Sequence, residues 1–120
     1  MIINKIIKNN IYYFKLSKIQ EDEFENYCNY FHSLFDKDEN LKIIFDLSEL
    51  CMNDFLFTKQ TLEFMKNNYY NTEKYIDKTA IIIENEVIKN LINIVILSVY
   101  KPIKPNLITN TFNEALLFVK

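Results

Sequence analysis

The spacing of apolar positions divides the first third of the chain into two strands and a helix. Residues 2–7 and 11–16 are rich in β-branched and aromatic side chains, which predicts two β-strands. Asn9 and Asn10 between them predict a tight turn and an antiparallel hairpin, because asparagine tolerates left-handed backbone conformations. Residues 21–35 repeat their apolar side chains at helical spacing. The members of that stripe are Phe24, Tyr27, Cys28, Phe31, Leu34 and Phe35.

The middle of the chain continues with a strand and a helix. Residues 41–47 are apolar without alternation at their centre, as in a strand covered on both faces. Asp54 is expected to cap a helix over about residues 55–68, and residues 67–77 to form a polar connection. One face of this helix is predicted to carry Phe55, Thr58, Leu62, Met65 and Tyr69.

The last third repeats the alternation twice. Residues 79–83 predict a fourth buried strand, and Asn85 is expected to cap a helix over residues 86–100, which Pro102 and Pro105 end. The core face of this helix is predicted to contain Ile88, Leu91, Ile92, Val95 and Val99. A short strand over residues 106–109 leads to a capping box at Thr111-Phe112-Asn113-Glu114 and a closing helix.

The resulting order is ββαβαβαβα, which predicts an α/β fold with a mostly parallel sheet and an antiparallel N-terminal hairpin. The length of 120 residues predicts a single domain over residues 1–120. We expect a cytoplasmic protein without a transmembrane segment. The first residues contain lysines within their apolar stretch, unlike a signal peptide, and residues 91–100 are too short to span a bilayer.

Composition excludes several classes of function. The net charge is −2, the chain has no arginine and its lysines are scattered, so nucleic-acid binding is not expected. The chain also has no glycine, which excludes glycine-rich phosphate loops, and we expect no cofactor. Turns that need a positive φ are expected to use asparagine.

The two cysteines and the single histidine offer little chemistry. Cys28 and His32 are four residues apart and can adjoin on one helix face, as a thiol and a base would. Packing of Cys28 in the core, with His32 at the solvent edge, is the favoured interpretation. Cys51 follows the third strand and is expected to be a reduced, partly exposed thiol. The sequence shows no metal-ligand spacing, and we expect no metal site.

Three stretches resemble the STAS domain, in its SpoIIAA-like or SEC14-like form. Residues 42–50, KIIFDLSEL, are similar to the family's third strand, which ends in Asp-Leu-Ser. Asp54 stands eight positions after Asp46, where anti-sigma-factor antagonists carry Asp-Ser-Ser-Gly. Residues 109–119, TNTFNEALLFV, are similar to the family's closing strand, capping residue and helix. The resemblance covers the whole chain in topology and implies a regulatory domain that binds proteins.

The chain departs from that family at the phosphorylated serine. The corresponding position is Leu56, which has no hydroxyl, and Phe55 and Phe57 flank it. A phosphorylation switch at this position is therefore excluded. Asp46 and Asp54 allow an acid–base pair, but a strand-end aspartate and a helix cap are the favoured interpretation. We expect no catalytic residues and no enzyme activity.

The segment after the third strand is the expected working surface, because partners meet open α/β sheets beyond the carboxyl ends of the strands. The residues concerned are Met52, Asn53, Asp54, Phe55, Leu56, Phe57 and Thr58. Neighbours on a helix point about 100° apart, so at least one of the three apolar residues after Asp54 must face outward or sideways. An exposed apolar patch here would mark a contact with a protein partner.

The favoured function is a non-catalytic protein-interaction module acting through residues 50–58 without phosphorylation. The alternative is binding of a small apolar ligand or lipid, in a pocket lined by Tyr12, Phe14 and the helix over residues 91–99. A homodimer formed through the edge strand is compatible with either function.

Overall fold

The predicted hairpin opens a mixed sheet whose later strands run parallel. A computed structural model of the chain describes residues 1–100 and 104–120. Within these residues five strands form one sheet in the order β1-β2-β3-β4-β5. The strands are β1 (Ile2–Lys8), β2 (Ile11–Leu16), β3 (Leu41–Asp46), β4 (Ile76–Ile82) and β5 (Asn106–Thr109). β1 pairs antiparallel with β2, and the other three pairings are parallel. The predicted α/β class and strand arrangement are confirmed.

Helices connect the strands, as the pattern predicted. They are α1 (Glu21–Phe35), α2 (Phe55–Asn67), α3 (Tyr69–Tyr75), α4 (Glu86–Ser98) and α5 (Phe112–Val119). A single 3-10 turn, Met52–Asp54, precedes α2. Among the helices that the structure describes, none is long and apolar enough to cross a membrane.

The predicted polar connection over residues 67–77 is wrong. Residues 69–75 form α3, and β4 begins at Ile76 rather than Thr79. The hydroxyl of Thr72 donates to the carbonyl of Met65 at 3.1 Å, which ties α3 to the end of α2. Lys78 stays half-buried in β4 because its ammonium reaches the carbonyl of Phe118 at 3.2 Å. Tyr69, predicted to share one face of α2 with Phe55 and Met65, is exposed on α3.

The sheet buries its two faces unequally. Tyr12, Phe14, Ile43 and Phe45 face α1, α2 and α4 in the larger core. The ring of Phe31 from α1 stacks on Phe14 with centroids 4.9 Å apart. Burial of each such side chain stabilises the fold by about 1.5–3 kcal/mol. The opposite face packs on α5 through a smaller apolar cluster, which comprises Ile11, Ile44, Ala80, Ile82, Ala115 and Val119.

The helix ends follow the predicted signals in part. The side chain of Asn85 caps α4 by accepting from the N–H groups of Val87 and Ile88, at 2.9 and 3.1 Å. Thr111 caps α5 by accepting from the N–H of Glu114 at 3.2 Å. The other half of the predicted capping box is not formed, because the Glu114 carboxylate accepts from the Thr111 hydroxyl instead. α4 ends at Ser98, and the predicted stop at Pro102 lies outside the described residues.

Left-handed backbone occurs at three of the described residues, and asparagine accounts for one of them. Asn9 has φ 46° in the predicted hairpin turn, but Lys18 and Asp38 have φ 45° and 53°. The prediction that asparagine would supply such turns is therefore wrong at Lys18 and Asp38. Non-glycine residues need local support in this region, and at Lys18 that support comes from the candidate site.

Candidate functional site

Asp46 is the last residue of β3, at the end of the sheet where the parallel strands β2 and β4 also finish. The N–H of Ser48 donates to Asp46 Oδ1 at 3.0 Å, and the Tyr13 hydroxyl donates to the other carboxylate oxygen. Burial alone raises the pKa of Asp46, but the bonds from Ser48 and Tyr13 and the charge of Lys15 hold that pKa below its ordinary value. The expected role, a strand-end aspartate that meets loop amides, is confirmed.

Asp54 occupies the N-cap position of α2, as predicted, but its side chain makes no capping hydrogen bond to that helix. Its carboxylate turns away from the helix and accepts from the N–H groups of Lys18 and Ile19 at 3.0 and 2.9 Å, and from that of Cys51 at 3.2 Å. The Cys51 thiol also donates to it, at 3.1 Å. Asp54 therefore fastens the turn before α1 to the turn before α2, and holds Lys18 in its left-handed conformation.

Hydrogen bonds also set the protonation state of Asp54. The side chain is 3% exposed, and burial by itself raises the pKa. The donors from Cys51, Ile19 and Lys18 outweigh that effect and hold the pKa below its ordinary value. Among the described residues, Asp46 and Asp54 thus accept hydrogen bonds from different donors, and no hydrogen bond joins the two side chains.

The predicted working surface divides into outward and inward residues. Met52 is 57% exposed and Leu56 is 58% exposed, and Asn53 is exposed beside them. Phe55 and Phe57 are half-buried against the larger core. Leu56 is therefore the outward residue among the three apolar ones. We call Met52, Asn53, Leu56 and Phe57 the contact surface.

A groove between α1 and α2 adjoins the contact surface. Its volume is about 500 Å³ and it is open to solvent. Phe24, Cys28 and Phe57 form its apolar floor, and the rings of Phe24 and Phe57 lie 5.5 Å apart. Glu21, Glu25, Leu56 and Gln60 complete the lining. Sequence reasoning missed Phe24 and Cys28 as groove residues, because both lie on the helical stripe assigned wholly to the core.

Thr58, the last residue of the predicted surface, faces inward. It is 8% exposed, and its hydroxyl has no hydrogen-bond partner among the described residues. It lines a separate cavity of about 60 Å³ between the sheet, α2 and α4. The walls of this cavity are mostly apolar and include Phe45, Leu62, Met65, Ile81 and Ile92. The predicted ligand pocket is wrong in two residues, since Tyr12 and Phe14 are buried in the core and do not line it.

The two cysteines and the histidine have different surroundings in the structure. Cys28 is half-buried against the larger core, and burial raises the pKa of its thiol. The ring of His32 packs edge-on against Phe64, with centroids 5.0 Å apart, at the solvent edge of α1. Both cysteines are free, and Cys51 is exposed. Within residues 1–100 and 104–120, no cluster of three histidine, cysteine or acidic side chains could hold a metal ion.

Comparison with known proteins defines the fold class. The chain is similar along its whole length to a DUF3478-family protein from Shewanella loihica PV-4 whose crystal structure has a SpoIIAA-like fold. The two structures superpose with a TM-score of 0.67 over 93% of that chain, at 13% sequence identity. This protein therefore has a SpoIIAA-like fold, as the resemblance to STAS domains implied. No protein-family model matches the sequence. No curated protein matches it either.

Proposed function

We propose that this protein is a non-catalytic interaction module that binds a protein partner through the contact surface. The observation that carries the proposal is the exposure of Met52 and Leu56, each more than half open to water, with Leu56 lining a groove whose floor is apolar. Large apolar side chains that cluster at one place on a surface mark sites of association. A partner that inserted an apolar side chain between α1 and α2 would cover Leu56, Phe57 and Phe24 together.

Rigidity of the segment favours the same function. Asp54 joins the turn at Lys18–Ile19 to the 3-10 turn by three backbone hydrogen bonds. The residues on either side of Asp54 therefore already have their positions in the protein without a partner. A preformed surface loses less conformational entropy on binding than a mobile one, which makes association more favourable.

Binding in this proposal does not depend on phosphorylation of the segment. Leu56 offers no hydroxyl, and the hydroxyl of Thr58 is buried on the inner face of α2 and out of reach of a kinase. The module would therefore act constitutively, and its regulation would come from the amount or location of the partner.

Affinity capture with matched variants tests the proposal. Leu56→Asp and Met52→Asp place a charge on the contact surface, so each should lower recovery of the partner from extracts of the source cells at least tenfold. Leu117→Asp on α5 is the control, because Leu117 is 72% exposed on the opposite face of the sheet. Unchanged recovery by folded Leu56→Asp and Met52→Asp proteins would contradict the proposal.

Binding of a small apolar ligand is the second candidate, and the cavity beneath Thr58 is the feature that favours it. The hydroxyl of Thr58, which has no partner within residues 1–100 and 104–120, could form one hydrogen bond with a guest. Drug-sized ligands occupy pockets of about 300–1,000 Å³, and this cavity of about 60 Å³ is much smaller. The cavity therefore suits a guest of a few heavy atoms and does not suit a lipid chain.

A further inference from the structure

The outer face of α4 is apolar although it lies in water. Val87 is 64% exposed, Ile94 is 60% exposed and Leu97 is 72% exposed. Asn90 is exposed between them. The opposite face of the helix packs into the core through Ile88, Ile92 and Val95, which are 6%, 1% and 5% exposed. α4 therefore has two apolar faces, and contacts within the chain explain one of them.

The outer stripe has the spacing of a seam between two helices. Val87, Asn90, Ile94 and Leu97 are separated by three, four and three residues, which places them on one helix face and fits the a/d spacing of paired helices. These steps read the same in both directions. An antiparallel second copy of α4 therefore places Val87 opposite Leu97 and Asn90 opposite Ile94, with a two-fold axis passing near residue 92.

We propose that this protein forms a homodimer in which the α4 helices of two copies pack antiparallel through Val87, Asn90, Ile94 and Leu97. Such an interface is isologous, because each copy contributes the same surface and the symmetry closes after two subunits. Asn90 lies within the seam opposite Ile94, so its amide gains no partner from that side chain and lowers the stability of the dimer.

The charges around the stripe favour a second copy over a membrane surface. Helices that lie on membranes carry many lysines or arginines beside their apolar face. α4 contains one basic residue, Lys89, and Glu84 and Glu86 stand at its start. Acidic side chains there would repel anionic lipid headgroups, whereas the stripe of a second copy is uncharged.

The area that the stripe could bury is small for a dimer interface. α4 has 13 residues and is therefore about 20 Å long. One helix face of that length covers less than the roughly 800 Å² per partner of a standard interface. We therefore expect a weak dimer that dissociates on dilution.

Sedimentation equilibrium of the purified chain tests the dimer. Wild-type protein, examined between about 1 and 500 μM, concentrations that bracket micromolar dissociation constants, should shift from monomer to dimer as its concentration rises. Ile94→Asp and Leu97→Asp should each raise the dissociation constant at least tenfold, while Leu117→Asp leaves it unchanged. Circular dichroism and urea unfolding would establish that each variant is folded. A wild-type protein that stays monomeric throughout, or a dimer that both α4 variants retain, would overturn the proposal.

Disulfide trapping tests the antiparallel register. In a Cys51→Ser background, which removes the exposed thiol, the double variant Val87→Cys/Leu97→Cys should oxidise to a covalent dimer. Leu97→Cys alone should not, because the two copies of residue 97 would stand about 15 Å apart along the helices, at 1.5 Å per residue. Efficient dimerisation of the single variant would contradict the antiparallel arrangement. Pairing through β1 would leave both variants uncrosslinked and would also overturn the proposal.

Discussion

Asp54 shows how a correct reading of residue type can miss the role of a residue. Its position before α2 predicted a helix cap, yet its carboxylate binds the N–H groups of Lys18 and Ile19, 36 and 35 residues away in sequence. Local spacing carries no information about such a contact, because the donors belong to a turn that the fold brings near. Asp46, whose N–H donor at Ser48 is two residues away, was predictable for the opposite reason.

Replacing Asp54 with asparagine should destabilise the fold. The Asp54→Asn amide presents one acceptor oxygen and an NH₂ group to backbone donors, so at least one buried N–H loses its partner. Such a loss costs about 1–3 kcal/mol. Urea unfolding at pH 7 would measure the difference, with Asp36→Asn, at an exposed position after α1, as the control.

Acidification should remove that difference. The folded-state pKa of Asp54 is lowered, so its contribution to stability is present above the unfolded pKa of about 3.9 and is lost as pH falls through the folded pKa. The free energies of unfolding of wild-type and Asp54→Asn proteins should therefore converge as pH falls below the unfolded value of about 3.9 and through the lowered folded pKa. A difference that does not shrink on acidification, or none at pH 7, would show that the carboxylate does not hold the two turns.

At the scale of elements, the spacing of apolar residues predicted those helices and strands that bury one face in the core. α1 and β2 have the predicted bounds, since each presents apolar residues to one large core. α3 was missed because its seven residues, YYNTEKY, bury Thr72 alone and show no apolar stripe. The start of β4 was missed because Asp77 and Lys78 suggested a loop, although Lys78 is accommodated by the carbonyl of Phe118.

α5 provides the sharpest prediction about an element. It packs on β3, β4 and β5, and Ala115 and Val119 are its fully buried residues. Thr111→Ala would leave the N–H of Glu114 without its cap and should lower the free energy of unfolding by about 1 kcal/mol. Hydrogen exchange should quicken first in α5. Asn113→Ala, at an exposed position in the same turn, is the control, and equal stability of both variants would contradict the role of Thr111.

At the scale of the whole molecule, the alternation of strands and helices was enough to predict the sheet. Parallel pairing follows from helical crossovers between strands, and the structure has that pairing from β2 to β5. The likeness to the DUF3478-family structure at 13% identity shows that few identical residues are needed for this fold. Which side chains of residues 52–58 point outward depends on the packing of α1 against α2, and helical spacing alone did not decide it.

Site-specific photo-crosslinking tests the central claim, that the contact surface binds a protein partner. A benzophenone amino acid would replace Leu56 in one variant and Leu117 in another, and both proteins would be irradiated in the source cells. We expect a discrete heterologous adduct from position 56, absent from position 117, that mass spectrometry identifies as one protein. The same adducts from both positions, or none from position 56 in a folded protein, would contradict the claim.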